Sequence, residues 1–192
     1  MEAFRAAIAQ VFDAHVEASS ASVSVDLMQS PVGTLLLAAT DSAVCSLEFV
    51  DAASLEARLH SLRQRVAGAV VTATNRCLAL VRNQLEEYFE GRRRAFDVPL
   101  SFVGTAFQQK VWTALLEIRY GETWSYLQLA EHVGDAGATR AVGMANGANP
   151  IAIVIPCHRV VNASGELGGY GGGLWRKRVL LDLEKGQAQL PF

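Results

Sequence analysis

The spacing of hydrophobic residues changes early in the chain from a helical to a strand-like pattern. Residues 3–18 carry apolar side chains at helical spacing and run into a serine-rich stretch, so residues 1–22 are expected to form a helical N-terminal extension. Between Val23 and Val50, three short apolar runs are separated by turn residues at Ser30–Gly33 and at Asp41–Ser42. Three short strands joined by tight turns predict an antiparallel meander.

Helical spacing returns over residues 52–66 and 75–90, and the second of these helices is expected to end at Gly91. The basic run Arg92–Arg94 follows. Three adjacent arginines could contact phosphate, but a solvated charged loop is the more common structure for such a run and is favoured here.

The second half of the chain is predicted to be mostly helical. Thr105 is placed to cap a helix that ends near Gly121, and Ser125 to cap another over Tyr126–Val133. Gly134–Gly137 interrupts the pattern before a further helix that starts near Ala138 and ends between Ala145 and Ala148. Two short helices joined by a glycine-containing turn are typical of a DNA-binding helix-turn-helix, although plain helical hairpins share this pattern.

Composition narrows the class of protein. The 192 residues are 51% hydrophobic and 19% charged, which is typical of a globular chain with one mid-sized or two small domains. No apolar run is long enough to span a bilayer, and charges interrupt the N-terminal apolar pattern, unlike in a signal peptide. We therefore expect a cytoplasmic protein with no membrane association.

The net charge of −2 argues against nucleic-acid binding through bulk charge. Counted separately, residues 1–101 carry 9 basic and 12 acidic side chains (−3), whereas residues 102–192 carry 8 and 7 (+1). Binding to phosphates would therefore have to depend on a local cluster of basic groups.

The three cysteines are widely spaced and contain no CxxC pair or zinc-ligand spacing. Cys45 and Cys77 are interpreted as buried thiols. Cys157 differs, because it follows the β-branched run Ile151–Ile155 and precedes His158 and a basic Arg159. A nearby base or positive charge is what makes a thiol nucleophilic. The alternative is a buried cysteine at the end of a core strand, and an extended chain would point Cys157 and His158 to opposite sides unless the chain turned or a water bridged them.

Several segments together resemble the O6-alkylguanine-DNA alkyltransferase family over about residues 23–186. They occur in the family's order and at its spacing, which makes the resemblance specific. The segments are Gly104–Gln109 with Trp112, Gly121–Tyr126, Arg140–Gly143, Ala148–Pro150, Pro156–Val160 and Gly169–Tyr170.

The resemblance implies an α/β (α+β) fold with two domains. Residues 23–100 would form a ribonuclease H-like domain with a small antiparallel sheet and helices, and residues 101–187 a winged helix-turn-helix domain that binds DNA and carries the active site. The implied activity is direct repair. The protein would flip O6-alkylguanine, and also O4-alkylthymine, from double-stranded DNA and transfer the alkyl group irreversibly to Cys157 in a single turnover.

The resemblance also implies roles for ten residues. Cys157 is the alkyl acceptor, His158 the base that takes the thiol proton through water, and Glu184 the acid that orients His158. Tyr126 assists the leaving guanine. The residues implied to bind DNA or the flipped base are Arg140, which fills the space left by that base, Ala141 and Gly143, which let the helix approach the groove, Asn149, Tyr170 and Lys177.

Departures from the family pattern carry further expectations. The turn Ile118–Arg119–Tyr120 lacks a proline that many relatives have, and Ala152 and Gly172 are smaller than the residues in some members. These two small residues predict a roomy pocket that accepts groups larger than methyl, including the benzyl group of O6-benzylguanine. No metal or cofactor is expected, and the protein is expected to be a monomer. Two alternatives are a non-catalytic lesion sensor, although sensors lack the acceptor cysteine, and a Cys–His hydrolase, which would turn over repeatedly.

Overall fold

A computed structural model of the chain describes residues 22–51, 53–66 and 69–187. The helix predicted at residues 3–18 lies outside the described residues. The chain divides into two compact units. Of the described residues, the first unit contains those from 22 to 87 together with Phe96–Ser101, and the second contains Tyr88–Ala95 and those from 102 to 187.

The first unit is built on a four-stranded sheet in the order β3-β2-β1-β4. The predicted meander is confirmed, because β1 pairs antiparallel with β2, and β2 with β3. The fourth strand pairs parallel with β1 and was not predicted, since two residues are too few to show a periodic pattern. The strands are β1 (Val23–Met28), β2 (Leu35–Ala39), β3 (Val44–Phe49) and β4 (Val70–Val71).

Two helices complete this unit, close to their predicted positions. Helix α1 (Leu55–Arg65) buries Leu59 and Leu62 in an apolar cluster with residues of the sheet. Helix α2 (Arg76–Phe89) begins after Asn75, whose Oδ1 accepts the Leu78 N–H at 2.8 Å. The same amide donates to the carbonyls of Ala39 and Thr40 at 3.0 Å each, so it ties the start of α2 to the end of β2.

The second unit is mainly helical, as predicted. Thr105 and Ser125 both form capping boxes: each hydroxyl accepts the backbone N–H of Gln108 or Gln128, and the glutamine Oε1 accepts the backbone N–H of the capping residue. Strand β5 pairs parallel with β6. The elements are α3 (Ala106–Leu115), β5 (Trp124–Ser125), α4 (Tyr126–His132), α5 (Thr139–Gly147), β6 (Val160–Val161) and α6 (Leu174–Glu184).

The predicted helix pair is confirmed as α4 and α5, joined by a short 3₁₀ turn at Ala136–Ala138. Helix α3 packs against this pair, and the buried indole of Trp112 on α3 donates to the Ala145 carbonyl of α5 at 2.8 Å. In the part of the chain that the structure describes, no helix combines the length and the apolar character that crossing a bilayer requires.

Candidate active site

The run before Cys157 is a series of turns, which contradicts the alternative in which this cysteine ends a core strand. The Val154 N–H donates to the Ala152 carbonyl at 2.8 Å, and the Ile155 N–H to the Ile151 carbonyl at 3.0 Å. Ile153 has φ of +70°, a backbone conformation that β-branched residues rarely adopt and that costs about 1–3 kcal/mol. Burial of this apolar run, rather than strand pairing, explains its β-branched composition.

Asn149 holds this turn closed and also contacts the sulfur. Its Oδ1 accepts the Ile151 N–H at 3.0 Å, and its Nδ2 donates to the Ile155 carbonyl at 2.8 Å. The same Nδ2 lies 3.0 Å from the Sγ of Cys157. A neutral amide donor at this position stabilises negative charge on sulfur when the thiolate forms.

Cys157 begins a 3₁₀ turn over Cys157–Arg159 and is buried. Burial raises the pKa of its thiol to about 11, against the opposing effects of the Asn149 hydrogen bond and the positive charge of Lys177. The resting group is therefore a protonated thiol at neutral pH. A thiol is nucleophilic only as its thiolate, so a nucleophilic role for Cys157 would require a base that removes this proton.

The 3₁₀ turn directs the His158 ring toward Glu184 at the end of α6. His158 is fully buried, and its Nε2 lies 2.8 Å from Oε1 of Glu184. Burial lowers the pKa of His158 against the opposing influence of Glu184, which favours the neutral ring. An ionised carboxylate only accepts hydrogen bonds, so Nε2 carries the proton and Nδ1 has a free lone pair. No protein group within the described ranges reaches Nδ1, which leaves this atom able to receive a proton.

Three groups besides His158 also donate hydrogen bonds to the Glu184 carboxylate. Arg159 donates to both of its oxygens, from Nε at 2.9 Å and from Nη2 at 2.9 Å. The Gly121 N–H donates to Oε2 at 3.1 Å, and the Tyr88 hydroxyl to Oε1 at 2.8 Å. Burial would raise the pKa of Glu184, but the hydrogen bonds from His158 and Arg159 and the positive charge of Arg159 hold it well below its usual range. The carboxylate is therefore ionised and fixed in one orientation.

Lys177 holds the glycine-rich loop beside the cysteine. Its buried ammonium donates to the carbonyls of Val160 at 2.6 Å and Gly168 at 3.1 Å. Burial lowers the pKa of Lys177 to about 8, while the nearby Cys157 favours its charged form. The cation that acts on the thiol is thus Lys177, because Arg159, the candidate suggested by sequence adjacency, is engaged by Glu184.

Tyr126, the first residue of α4, packs its ring against the same loop. A Cβ on Gly168 would lie 2.6 Å from Cε2 of Tyr126, so the close approach requires glycine. The Tyr126 hydroxyl donates to the Gly169 carbonyl at 3.4 Å. Burial and the nearby Cys157 raise the pKa of Tyr126, so the hydroxyl keeps its proton at neutral pH.

The remaining residues singled out from the sequence surround this centre. Tyr170 is half-buried in the loop held by Lys177, and burial followed by the influence of Cys157 raises its pKa. Gly143 on α5 faces the Tyr126 ring, since a Cβ there would lie 3.8 Å from Cε1. Arg140 and Ala141 lie exposed in the first turn of α5. The structure thus joins Cys157 with Asn149, and His158 with Glu184, whereas Arg140 and Ala141 lie on the surface.

Sequence reasoning did not identify four contacts that hold the carboxylate and the cysteine. Tyr88 and Gly121 are far from Glu184 in sequence, and only the fold brings them together. Arg159 lies inside the recognised Pro156–Val160 segment, but its partner could not be identified from neighbouring residues. Asn146, which donates to the Cys157 carbonyl at 3.5 Å, is buried on α5 and follows the ordinary core pattern of that helix.

No metal was expected from the sequence. Within the described residues, no group of three or more His, Cys, Asp or Glu side chains comes together as candidate ligands. The expectation of a cofactor-free protein remains a prediction.

Comparison with protein-family models gives two matches that together cover most of the chain. Residues 23–102 match the ribonuclease-like domain of 6-O-methylguanine DNA methyltransferase, and residues 106–186 match its DNA-binding domain. These matches confirm the predicted fold class.

Individual proteins agree. A methylated-DNA–protein-cysteine methyltransferase from Mycobacterium leprae is 50% identical over 160 residues, which cover 83% of this chain and 91% of that protein. The crystal structure of the Mycobacterium tuberculosis O6-methylguanine methyltransferase matches with a TM-score of 0.74 at 45% identity, covering 88% of this chain and 96% of that one. The Mycobacterium tuberculosis OGT in complex with DNA matches with a TM-score of 0.72 at 45% identity, covering 87% and 94%.

Proposed function

The chain belongs to the 6-O-methylguanine DNA methyltransferase family, and we propose that Cys157 is the residue that accepts the alkyl group. The family's activity is direct reversal of alkylation damage, in which DNA is restored and a protein cysteine is consumed. The observation that carries the assignment to Cys157 is a buried thiol that contacts Asn149 and is followed by a histidine braced by an ionised carboxylate.

The proposed reaction is a displacement at the alkyl carbon. The Cys157 thiol gives its proton, through a water, to Nδ1 of His158, whose Nε2–H stays bound to Glu184. The thiolate forms a bond to the alkyl carbon as the bond from that carbon to O6 of guanine breaks, and the electron pair passes to the guanine. The products are unmodified guanine and a thioether. A thioether does not hydrolyse, so each molecule would react once.

Tyr126 is proposed to donate the proton that the departing guanine takes up. Two observations support this role: the raised pKa of Tyr126 keeps its hydroxyl protonated, and Cys157 is close enough to contribute to that shift. Lys177 and Tyr170 are proposed to shape the base pocket, since Lys177 fixes the loop that carries Tyr170.

DNA is the partner, and we propose that double-stranded DNA containing O6-alkylguanine is the form that is bound, with O4-alkylthymine as a second lesion. Helix α5 would enter the groove. Ala141 and Gly143 allow a close approach, and the exposed Arg140 would fill the gap left by the flipped base. Arg140→Ala is expected to slow transfer from duplex DNA about tenfold, the cost of losing one contact worth 1–2 kcal/mol. Transfer from free O6-benzylguanine should not change, because the free base needs no flipping.

The pocket is proposed to accept groups larger than methyl. Ala152 is buried beside the cysteine turn, and Gly172 lies in the loop that Lys177 holds. Intact mass after incubation with O6-benzylguanine should therefore show a benzyl adduct on Cys157. Methyl adducts without any larger ones would contradict a roomy pocket.

The experiment that tests the function uses a duplex with one O6-methylguanine, incubated with an excess of protein. Intact mass spectrometry should show the gain of one CH₂ per protein molecule, on the peptide that contains Cys157, and none in Cys157→Ala. With DNA in excess, one equivalent should be transferred before the reaction stops.

Other outcomes identify the alternatives. Binding without any mass change would indicate a lesion sensor, and sustained turnover would indicate a hydrolase. Because the acceptor, the base and the helix pair belong to one chain, we propose a monomer that works in the cytoplasm. Light scattering of the protein alone and bound to duplex measures the oligomeric state.

A further inference from the structure

We propose that Tyr88 is a positioning residue for alkyl transfer, because its hydroxyl donates to the same oxygen of Glu184 that contacts His158. The inference rests on the proposed function, in which His158 is the base. Tyr88 does not belong to the motif segments that contain the acceptor and the base, and its residue type alone predicts only a large side chain at the end of α2.

The contacts at Oε1 of Glu184 carry the inference. Tyr88 Oη and His158 Nε2 each lie 2.8 Å from this oxygen, and Nη2 of Arg159 lies 2.9 Å from it. Tyr88 and the Glu184 side chain are both fully buried. In such surroundings solvent does not replace a lost donor, so each hydrogen bond affects the strength of the others.

The Tyr88 hydroxyl therefore sets how strongly Glu184 pulls on the imidazole proton. A carboxylate that already accepts a hydroxyl hydrogen bond carries less free charge on that oxygen and stabilises the imidazolium less. Removing the hydroxyl concentrates charge on the His158 contact and raises the pKa of the ring. The ring is then protonated at higher pH and cannot accept the proton of the thiol.

The other charged and titratable groups around the carboxylate do not duplicate this effect. Arg159 and Lys177 oppose protonation of His158 through their positive charges, and both charges remain in Tyr88→Phe. The groups that face this cluster are Tyr88 from α2, Tyr120 from the turn after α3, His158 and Arg159 from the 3₁₀ turn, Tyr170 from the glycine-rich loop, and Lys177 from α6.

Tyr120 provides a matched control. Its ring meets that of Tyr88 edge to face, with centroids 6.1 Å apart, and the Arg159 guanidinium lies over it at 5.9 Å. Its hydroxyl donates to the backbone carbonyl of Leu183 at 3.4 Å, one residue before Glu184. Tyr120→Phe thus removes a hydroxyl from the same cluster without removing a donor to the carboxylate.

The test compares Tyr88→Phe, Tyr120→Phe and the wild type by two measurements. The first is the single-turnover rate of methyl transfer from an O6-methylguanine duplex as a function of pH. In Tyr88→Phe the acidic limb of this profile should move up by about one pH unit, the shift expected for one lost hydrogen bond to a charged group. In Tyr120→Phe it should stay in place.

The second measurement follows the imidazole resonances by NMR against pH, with His158 identified by its absence from His158→Gln. In Tyr88→Phe, His158 should become protonated at higher pH than in Tyr120→Phe. This measurement does not require transfer, so a protein that fails to take up methyl groups would refute the proposed function without deciding the inference. If His158 titrates alike in both variants, Tyr88 does not position the base and the inference is wrong. Equal melting temperatures of the two variants show that the shift does not come from lost packing.

Discussion

Two carboxylates, one in each unit, are held by cationic side chains but differ in their surroundings. In the first unit, Glu48 on β3 pairs with Arg58 and Arg65 of α1 and accepts the Ser46 hydroxyl at 3.0 Å. In the second unit, Glu184 pairs with His158 and Arg159. The side chains of Arg58 and Arg65 are 42% and 26% exposed, whereas those of His158 and Arg159 are 0% and 7% exposed.

The difference in exposure separates a structural cluster from a chemical one. Partly exposed guanidinium groups keep part of their hydration, so the Glu48 cluster attaches α1 to the sheet at a modest gain in stability. The buried Glu184 cluster replaces water completely and holds a titratable ring in one tautomer. Ionic pairing alone therefore does not mark a candidate active site. The feature that sets the Glu184 cluster apart is a fully buried histidine hydrogen-bonded to the carboxylate.

Glu184→Gln should have the largest effect. Transfer to Cys157 should fall at least about 100-fold, because His158 loses the group that orients it as a base. The free energy of unfolding should fall by about 3–5 kcal/mol, since the buried Arg159 guanidinium loses its counter-charge. Single-turnover transfer measures the first and urea unfolding the second.

Glu48→Gln is the matched control for that rate. It removes the same charge from a cluster with no base, so transfer should stay at the wild-type rate. A Glu184→Gln protein that transfers methyl within twofold of wild type would show that the buried carboxylate is structural, like Glu48.

The second largest effect should be the loss of stability of the Glu184 cluster at acidic pH. The pKa of Glu184 is held well below its usual range, so its contribution is complete above the unfolded-state value of about 4.3 and is lost as pH falls through the folded value. The pKa of His158 is also lowered, by burial, so protonation below its unfolded value acts in the same direction. One such carboxylate contributes about 2–3 kcal/mol.

Melting temperature against pH measures this contribution. The wild type should lose stability steeply on acidification, and Glu184→Gln, already less stable, should lose less. Parallel curves for the two proteins would contradict the assignment of the acid sensitivity to Glu184.

Glu48→Gln should lower the free energy of unfolding by about 1 kcal/mol, because its partners remain partly hydrated when the charge is removed. Urea unfolding measures this loss. A loss as large as that of Glu184→Gln would mean that exposure of the cations does not decide the strength of these clusters.

How far the sequence predicted this organisation depends on whether a feature is local. The capping boxes at Thr105 and Ser125 and the meander strands follow from residues within a few positions, and each is confirmed. The conformation of Ile151–Ile155 could not be predicted, because a buried β-branched run has the same composition whether it pairs as a strand or folds on itself around Asn149.

Long-range contacts were the least predictable part of the site. The resemblance supplied Cys157, His158 and Glu184, but nothing in the sequence connects Tyr88 with a carboxylate 96 positions later. The partner of Arg159 was equally hard to predict. Its closeness to Cys157 in the sequence suggested that it acts on the sulfur, but the fold directs its guanidinium to Glu184. Motif spacing along the sequence therefore identifies the candidate reactive residues better than it identifies the residues that hold them in place.

The smallest expected effect sharpens the comparison within the Glu48 cluster itself. Arg58→Met retains the apolar stem and removes a pair whose guanidinium side is 42% exposed, so it should cost less than about 0.5 kcal/mol. Arg65→Met removes a pair whose cation is 26% exposed and should cost more than Arg58→Met. Double-mutant cycles with Glu48→Gln, measured by urea unfolding, isolate each pairing energy from the loss of packing. A larger coupling energy for Arg58 than for Arg65 would show that geometry, rather than hydration of the cation, sets the strength of these pairs. The pairing of Arg159 with Glu184 would then have to be tested for the same dependence on geometry.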